Sequence, residues 1–482
     1  MKTETIDADV IVVGCGVSGL CAAVSALEAG AKVVVLERAP KEDRGGNTRW
    51  TEATLRMNSV NEVAHDFESH LVKNAGYYLD PELVKAAGHD YDNWDSIVKA
   101  HPFCDPELIS TLAAAAGPTL QWLESYGVRF TSMPGYFITT STSRIVPVGG
   151  GLAIVETLAG WAEKNGAEFR YQTAAKELLR TEDGMIRGIR ALGPDGQVEV
   201  RASKVILASG GFQGNYEMLA RYIGPRSRYV RPVARGGYYN RGEGIEMALR
   251  IGAAGGGDFT SFHAEPIDPR SGAPEPIILV FNYGVLVNRD AERFVDEAPG
   301  SIDATYESIA RRILEEKEGI AYAILDSSIE DVPNWRRSVR TDQPPIVANT
   351  VEELAGKLEL DGRALNSTIE AYNSACTTGR FDPLHPDGVS TKQGYAPRKS
   401  NWARPISTAP FMAYPIICGN CFTFGGLKIN SRSEVLDGDG RPIPGLYAVG
   451  EVIGLYHGTY TGATSVLRGA VFGRIAGQNA AV

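Results

Sequence analysis

The first forty residues carry a glycine pattern that constrains the fold of this chain more than any other feature. Residues 9–13 (DVIVV) form a short apolar, β-branched run, which is typical of a buried parallel strand. The pattern GxGxxG follows at once at residues 14–19, and residues 20–29 have the composition of a helix. A second apolar run, residues 32–36, ends in Glu37. This succession predicts a βαβ unit that binds a dinucleotide.

The residue types of this unit fit the chemistry of a bound pyrophosphate and ribose. A glycine permits the tight turn, a second lets the backbone approach the pyrophosphate, and a third lets the helix pack closely on the strand. The helix amino terminus offers unpaired N–H groups to phosphate. The acid stands near the ~20-residue spacing expected of the carboxylate that accepts ribose hydroxyls. The predicted contacts in this unit are Gly14, Gly16, Val17, Ser18, Gly19, Glu37 and Arg38.

Composition excludes several classes of partner and fold. The 482 residues include 48 Lys and Arg against 58 Asp and Glu, a net charge of −10, so nucleic acid is not an expected partner. Six cysteines are too few for a disulfide framework, and the CxxC at residues 418–421 lacks the second ligand pair that zinc needs, so no metal is predicted. Signal-peptide and membrane-span patterns are missing, so we expect a cytoplasmic protein that does not itself lie in the membrane.

Further stretches of the sequence favour a flavin over a nicotinamide cofactor. Residues 45–48 (GGNT) follow the second predicted strand, and residues 205–211 (VILASGG) form another strand that ends in paired glycines. Residues 445–451 (GLYAVGE) are a strand that runs into a glycine-acid turn. Residues 461–465 (TGATS) then precede a helical stretch at residues 466–478.

With these motifs the chain resembles the flavoprotein subunits of the fumarate reductase/succinate dehydrogenase superfamily over nearly its whole length. The resemblance implies an α/β fold: a Rossmann-like FAD-binding domain of the glutathione-reductase type with an inserted α+β cap domain. It assigns residues 1–257 and 423–482 to the FAD-binding domain and residues 258–422 to the cap. Trp50 stands where respiratory members carry their attachment histidine, so the FAD is expected to be non-covalent.

The resemblance extends the predicted cofactor contacts beyond the first unit. The GGNT turn would lie on the flavin side, and the GLYAVGE turn would contact FAD. The carboxy-terminal helix would direct its amino terminus at the flavin, where it would stabilise negative charge. The contacts implied in this way are Gly45, Gly46, Asn47, Thr48, Gly150, Gly151, Ala174, Ala208, Ser209, Gly210, Gly450, Glu451, Thr464, Ser465 and Val466.

The predicted cap contains the superfamily's signature at residues 284–297 (GVLVNRDAERFVDE), but three positions that serve fumarate reduction are changed. Ser301 and Phe422 replace an arginine and a histidine, and residues 457–462 lack a second arginine. We therefore do not expect fumarate reduction. The chain instead resembles the tricarballylate dehydrogenase branch, at residues 45–49, 263–264, 293–297, 305–306 and 422–428.

Desaturation of a C–C bond next to a carboxylate sets the residue types expected in the site. A base takes the α-proton, flavin N5 takes the β-hydride, and cations bind the carboxylates. Arginine suits the last role because its guanidinium binds carboxylates bidentately. The base is not identified by the sequence. The candidate catalytic residues are His263, Arg293, Tyr306, His457 and Tyr460, and the candidate substrate-binding residues are Arg49, Arg144, Phe422 and Thr423.

The resemblance implies an FAD-dependent dehydrogenase of a tricarballylate-like polycarboxylate, and three alternatives stay open. The same groups could run the reverse reaction as an ene-reductase. A ketosteroid-dehydrogenase-like oxidation would act on a larger substrate, and a pocket lined by Phe and Tyr rather than by arginines would favour it. The chain could also be the flavin electron-transfer component of a partner complex. Because iron–sulfur and haem motifs are missing, a separate electron acceptor or redox partner is predicted beside the small-molecule carboxylate substrate.

Overall fold

A six-stranded sheet, the nucleotide sheet, organises the first part of the molecule. The computed structural model describes residues 3–74, 85, 93–94, 96–100, 105–133 and 143–482. Five neighbouring strands of the sheet are parallel, and one edge strand is antiparallel. Val10, Ile11 and Val12 of the first apolar run are fully buried in it. In spatial order the strands are Glu434–Leu436, Pro442–Ala448, Lys204–Leu207, Val10–Val13, Val33–Leu36 and Glu168–Arg170.

The first and last helices, Val17–Glu28 and Ser465–Ala480, pack closely against each other. A Cβ atom added at Gly473 would lie 2.3 Å from the carbonyl oxygen of Ser18. Only glycine therefore fits at this contact. The packing brings the amino terminus of the last helix next to the glycine turn.

Smaller sheets flank the nucleotide sheet. A four-stranded sheet has the order Glu4–Asp7, Gly196–Arg201, Ile186–Gly193 and Ala174–Arg180. Short pairs join Met57–Ser59 with Glu62–Val63, Phe130–Ser132 with Ile145–Pro147, and Gly255–Gly256 with Gly426–Leu427. The other helices of this part are Phe67–Asn74, Ser96–Ala100, Pro106–Ser125, Gly150–Lys164, Tyr216–Tyr222 and Glu243–Leu249. Within the ranges that the structure describes, no helix is both long and apolar enough to cross a membrane.

A long strand, Phe411–Thr423, organises the second large sheet, the cap sheet. It pairs in parallel with Arg231–Pro232, which precedes the predicted domain boundary at residue 258. The cap sheet therefore includes chain from before that boundary. The antiparallel strands of the sheet are Phe262–Ile267, Ile320–Leu325, Ile346–Ala348 and Val285–Val287, and the helices of this part are Ile302–Glu315, Val351–Leu358 and Gly362–Ala375.

The turn at Gly14 provides a test of the glycine pattern. Gly14 has a φ of +102°, and an added Cβ would lie 2.4 Å from the carbonyl oxygen of Ala208. Gly30 has a φ of +88° but no atom within 4 Å of an added Cβ. Alanine costs about 1–2 kcal/mol of backbone strain at either position, and the clash at Gly14 adds about 1–3 kcal/mol. Calorimetry should give a larger fall in the unfolding temperature for Gly14→Ala than for Gly30→Ala. Equal falls would contradict the close approach of Ala208.

Candidate active site

A deep cleft runs from the glycine turn of the nucleotide sheet to the cap sheet. Its empty space is about 1750 Å³, counted out to its open mouth. Most of the predicted cofactor contacts line it, so residues that are far apart in the chain meet at one surface. These are Gly14, Gly16, Val17, Ser18, Glu37, Arg38, Gly46, Asn47, Thr48, Ala174, Ala208, Ser209, Gly210, Gly450, Glu451, Ser465 and Val466.

Other predicted contacts do not line the cleft but pack against residues that do. A Cβ at Gly19 would lie 2.0 Å from the carbonyl oxygen of Gly14, and one at Gly151 would lie 1.8 Å from that of Thr48. These residues support the cleft wall by packing closely against the residues that form it. The predicted contacts with this placement are Gly19, Gly45, Gly150, Gly151 and Thr464.

A second loop on the cofactor side of the cleft was missed by the sequence analysis. Asn240, Glu243 and Met247 line the cleft, and the Arg38 guanidinium forms an ion pair with Glu243. The sequence feature that could have indicated this loop is the glycine-rich run NRGEG at residues 240–244, within which a short helix begins at Glu243.

Unsatisfied polar atoms in the cleft suit a nucleotide with many hydroxyl and carbonyl groups. Asn47 Oδ1 and Ser209 Oγ are buried and have no hydrogen-bond partner in the described part of the chain. The Glu37 carboxylate accepts backbone N–H groups from Cys15 and Ala39 at 3.0 and 2.7 Å, which fixes it at the end of the second strand. FAD fits these residues: Glu37 would bind the ribose hydroxyls, and the glycine turn would bind the pyrophosphate.

Glu451 joins the nucleotide sheet to the cap sheet. Its Oε1 accepts the backbone N–H of Thr423 at 2.8 Å, and its Oε2 accepts the side-chain amides of Gln213 and Asn240 at 3.3 and 3.2 Å. Burial raises the pKa of this carboxyl group. The predicted substrate-binding Thr423 bonds to Glu451 and does not line the cleft, so the structure does not support that role for it.

Four of the predicted substrate-side residues converge at the cap end of the cleft. His263 Nε2 lies 2.9 Å from the Tyr306 hydroxyl oxygen. The His263 ring centroid lies 4.4 Å from that of Tyr460 and 5.3 Å from that of Phe422. Burial, together with the charge of Arg311, lowers the pKa of His263 to about 3. The imidazole is therefore neutral at physiological pH and can share a hydrogen bond with Tyr306 without adding a charge.

Tyr460 reaches the amino terminus of the last helix. Its hydroxyl oxygen accepts the backbone N–H groups of Thr464 and Ser465, both at 2.9 Å, and its hydroxyl group donates to Ser465 Oγ at 3.1 Å. A hydroxyl group has only two lone pairs, and both are used here. The Tyr460 hydroxyl has a single hydrogen, and an oxygen atom in the cleft would receive it in place of Ser465 Oγ.

Of the two arginines predicted to bind substrate, the structure places only Arg144 on the cleft. Its Nη2 donates to Asp303 at 2.9 Å, and the Arg144 side chain is buried. Arg49 instead donates to Glu156 at 2.8 Å and does not line the cleft. A substrate carboxylate could therefore reach Arg144 but not Arg49.

Two predicted catalytic residues also lie off the cleft lining. Arg293 donates to Glu297 at 2.9 and 2.6 Å, and its guanidinium lies 5.1 Å from the Tyr372 ring centroid. It stabilises the interior of the cap, which removes it from the catalytic candidates. His457 is buried and does not line the cleft.

Three cleft residues beside His263 were missed by the sequence analysis: Glu265, Glu275 and Cys421. Burial, together with the charge of Glu275, raises the pKa of Glu265 to about 8. One ligand atom each from His263, Glu265 and Cys421 lies within 4.8 Å of the others, although the sequence predicts no metal. Glu265 and Cys421 come from paired strands that are distant in sequence.

Comparison with known proteins places the chain among flavoproteins. Residues 9–467 match the family model described as an FAD binding domain. Fumarate reductase (cytochrome) from Shewanella frigidimarina is 29% identical over 486 residues, covering 98% of this chain and 77% of the relative. The open conformation of a flavocytochrome c3 fumarate reductase has a TM-score of 0.73 at 25% identity, covering 99% of this chain and 78% of that one. The 3-ketosteroid-Δ4-(5α)-dehydrogenase from Rhodococcus jostii RHA1 has a TM-score of 0.67 at 27% identity and is matched over 100% of both chains.

These similarities confirm several predictions. The fold class is an FAD-binding domain with a cap domain, and the cofactor is FAD. The protein is an FAD-dependent reductase or dehydrogenase of the class that acts on CH–CH bonds. The resemblance to the fumarate reductase superfamily is also confirmed.

Substitution of Glu37 tests the placement of the ribose. Glu37→Gln keeps the side-chain shape but removes the charge that strengthens a hydrogen bond from a ribose hydroxyl. We expect the FAD dissociation constant to rise about 10- to 100-fold, measured by quenching of flavin fluorescence. The control variant Glu42→Gln changes an exposed glutamate in the next turn and should leave the FAD dissociation constant unchanged. Equal FAD affinity of the Glu37→Gln and Glu42→Gln variants would rule out this role for Glu37.

The buried Glu265 carboxyl predicts a pH dependence of stability. Folded protein retains the Glu265 proton up to about pH 8, whereas unfolded chain loses it near the ordinary value for glutamate. The free energy of unfolding should therefore decrease as pH rises from 5 to 8, by up to about 1.4 kcal/mol per pH unit from this group. Urea unfolding should show that Glu265→Gln removes this decrease, while Glu352→Gln on the exposed cap surface retains it. Parallel pH profiles for wild type and Glu265→Gln would refute the assignment.

Proposed function

The chain belongs to the FAD-binding domain family, and from that premise we propose that it transfers a hydride between FAD and a C–C bond next to a carbonyl or carboxylate group. The observation that carries the proposal is the convergence of His263, Tyr306 and Tyr460 at the cap end of the cleft. That end adjoins Ser465 and Val466, which are predicted to contact the flavin. Proton-handling groups therefore lie next to the expected position of the redox cofactor.

Tyr460 and Tyr306 support different parts of this chemistry. The Tyr460 hydroxyl would donate to the substrate oxygen and stabilise the negative charge that develops there, aided by the helix amino terminus. In the dehydrogenase direction the Tyr306 oxygen would take the α-proton while the Tyr306 hydroxyl proton passes to the neutral His263 imidazole, and in the reverse direction both protons would move back. FAD, when bound, supplies the two-electron acceptor or donor.

The charges of the cleft favour a substrate with no more than one carboxylate over a tricarballylate-like polycarboxylate. Three arginines line the cleft within the described residues. Arg38 pairs with Glu243, Arg144 pairs with Asp303, and the Arg468 guanidinium lies over the Tyr456 and Phe422 rings at 4.7 and 5.7 Å, so each is already held by other groups. The rings of His263, Phe422 and Tyr460 line the cleft and contact each other. This aromatic lining supports the alternative of ketosteroid-dehydrogenase-like oxidation of a larger substrate.

The direction of the reaction and the redox partner belong to the same proposal. The relative named above is a reductase and the 3-ketosteroid enzyme is a dehydrogenase, so the reverse reaction, ene-reduction, is the second candidate. A separate electron acceptor or donor would complete the cycle in either direction. An electron-transfer component alone would not need the His263, Tyr306 and Tyr460 arrangement.

Anaerobic spectra of the FAD-loaded protein test this function. Tricarballylate, succinate, 3-phenylpropanoate, 5-aminopentanoate and cyclohexanone should be added separately while the oxidised-flavin band is followed. We expect bleaching by a monocarboxylate or by the ketone. Bleaching by tricarballylate alone would contradict the expected preference for a substrate with no more than one carboxylate. If no compound bleaches the band but an unsaturated acid or ketone reoxidises dithionite-reduced flavin, the protein is an ene-reductase. No reaction in either direction would refute the proposed function.

Substitution of Tyr460 tests the proposed hydrogen-bond donor. Tyr460→Phe should slow flavin reduction by the active compound about 100- to 1000-fold, the usual effect of removing one donor to a developing oxyanion. Tyr283→Phe is the matched control, because Tyr283 is a buried cap tyrosine that donates to the Pro383 carbonyl at 2.6 Å and does not line the cleft. Stopped-flow absorbance at equal FAD content gives both rates. Similar rates in the two variants would exclude Tyr460 from the reaction.

A further inference from the structure

Three glutamates are grouped at the cap end of the cleft. Glu52, Glu265 and Glu275 all line it. Arg340 bridges two of them, with nitrogen–oxygen distances of 3.1 Å to Glu52 and 3.3 Å to Glu275. Arg144 pairs with an aspartate of the cap. Glu265 thus forms no ion pair with any residue of the described ranges.

Glu265 also has an unsatisfied oxygen at this end. The Cys421 thiol forms a hydrogen bond with the carboxyl group. The second oxygen, Oε2, is buried and has no hydrogen-bond partner among the residues that the structure describes. Glu275, whose pKa is also raised by burial, adds a neighbouring negative charge, and the Arg340 guanidinium adds an opposing positive charge. A ligand group that brings its own positive charge and N–H donors would satisfy Oε2 of Glu265 and add to the attraction by Glu275.

Aromatic rings line the same cleft as these carboxyl groups. The rings of His263, Phe422 and Tyr460 contact each other with centroid distances of 4.4, 4.9 and 5.3 Å. Aromatic faces attract cations, and the attraction strengthens when water is excluded. The Arg468 guanidinium already lies over the Phe422 ring, 5.7 Å from its centroid, so these rings accept a cation, and the carboxyl groups of the same cleft would strengthen the attraction for one.

A metal ion fits this end less well than an organic cation does. Zinc bonds of about 2.0–2.3 Å would hold ligand atoms about 3.5 Å apart, whereas the separations among His263, Glu265 and Cys421 extend up to 4.8 Å. His263 Nε2 already shares a hydrogen bond with Tyr306. Burial raises the pKa of the Cys421 thiol, which opposes formation of the thiolate that zinc binds.

We infer that the substrate carries a protonated nitrogen, such as an ammonium or imidazolium group, which binds at Glu265 and Glu275 while the reacting C–C bond lies at Tyr306 and Tyr460. This inference rests on the proposed function and specifies its substrate class. The cationic group would bind the ionised form of Glu265. A proton would therefore leave Glu265 for the buffer when the ligand binds at neutral pH.

A matched pair of probes tests the inference by binding alone. The compounds 5-aminopentanoate and hexanoate differ in an ammonium group against a methyl group. Titration calorimetry of the FAD-loaded protein at pH 7, in phosphate and in Tris, gives the affinity and the number of protons released. We expect 5-aminopentanoate to bind at least about tenfold more tightly and to release close to one proton. Equal affinities, or binding without proton release, would overturn the inference.

Variants separate a direct role of Glu265 from a structural one. Glu265→Gln should abolish both the preference for 5-aminopentanoate and the proton release, while the affinity for hexanoate stays the same. Glu352→Gln, on the exposed cap surface, should retain both properties. Glu275→Gln should reduce the preference and serves as a second test if Glu265→Gln does not fold. Retention of the preference in Glu265→Gln or Glu275→Gln would contradict the proposed binding position.

Two further outcomes distinguish the cation site from a metal site and from the proposed function. Stoichiometric binding of Zn²⁺ that is lost in Cys421→Ser would overturn it in favour of a metal site. Selective, proton-releasing binding of 5-aminopentanoate would support it even if no compound bleaches or reoxidises the flavin. In that last case the proposed function fails while the cation site remains.

Discussion

The packing of the last helix on the first helix is the contact on which the cleft depends. Gly473 lies so close to the Ser18 carbonyl oxygen that no side chain fits between the two backbones. This closeness places Ser465 at the wall formed by the glycine turn, although the two segments lie at opposite ends of the sequence. The same helix terminus donates N–H groups to Tyr460. One interface therefore positions both the wall of predicted cofactor contacts and the Tyr460 hydroxyl group.

Local patterns predicted the cofactor side well because its geometry is set by short-range rules. A glycine turn between a buried strand and a helix admits few conformations, so Gly14 and Gly16 line the cleft as expected. The resemblance added Asn47 and Ser465, which no local rule places beside that turn. The two-domain architecture followed from the same resemblance, whereas the strand Arg231–Pro232 joined the cap sheet without a sequence signal.

The substrate side was predicted less well because its contacts depend on side-chain pairing and strand register. Arg293 lies in a matching motif, but that motif also contains Glu297, and the two side chains bond to each other. Glu265 and Cys421 approach only because two distant strands pair in the cap sheet. A motif assigns a residue to a region, whereas the partner of its side chain decides whether it faces the substrate. Arg144 reached the cleft without belonging to any motif.

The cap end of the cleft combines groups that carry little net charge until a ligand arrives. His263 is neutral because burial lowers its pKa to about 3, and Glu265 keeps its proton because burial raises its pKa to about 8. The nearby guanidinium groups are already paired with carboxylates. A buried oxygen without a hydrogen-bond partner, such as Glu265 Oε2, costs about 1–3 kcal/mol. A cationic ligand would offset this cost, because its N–H groups would donate to Oε2 and its charge would favour the ionised carboxylate.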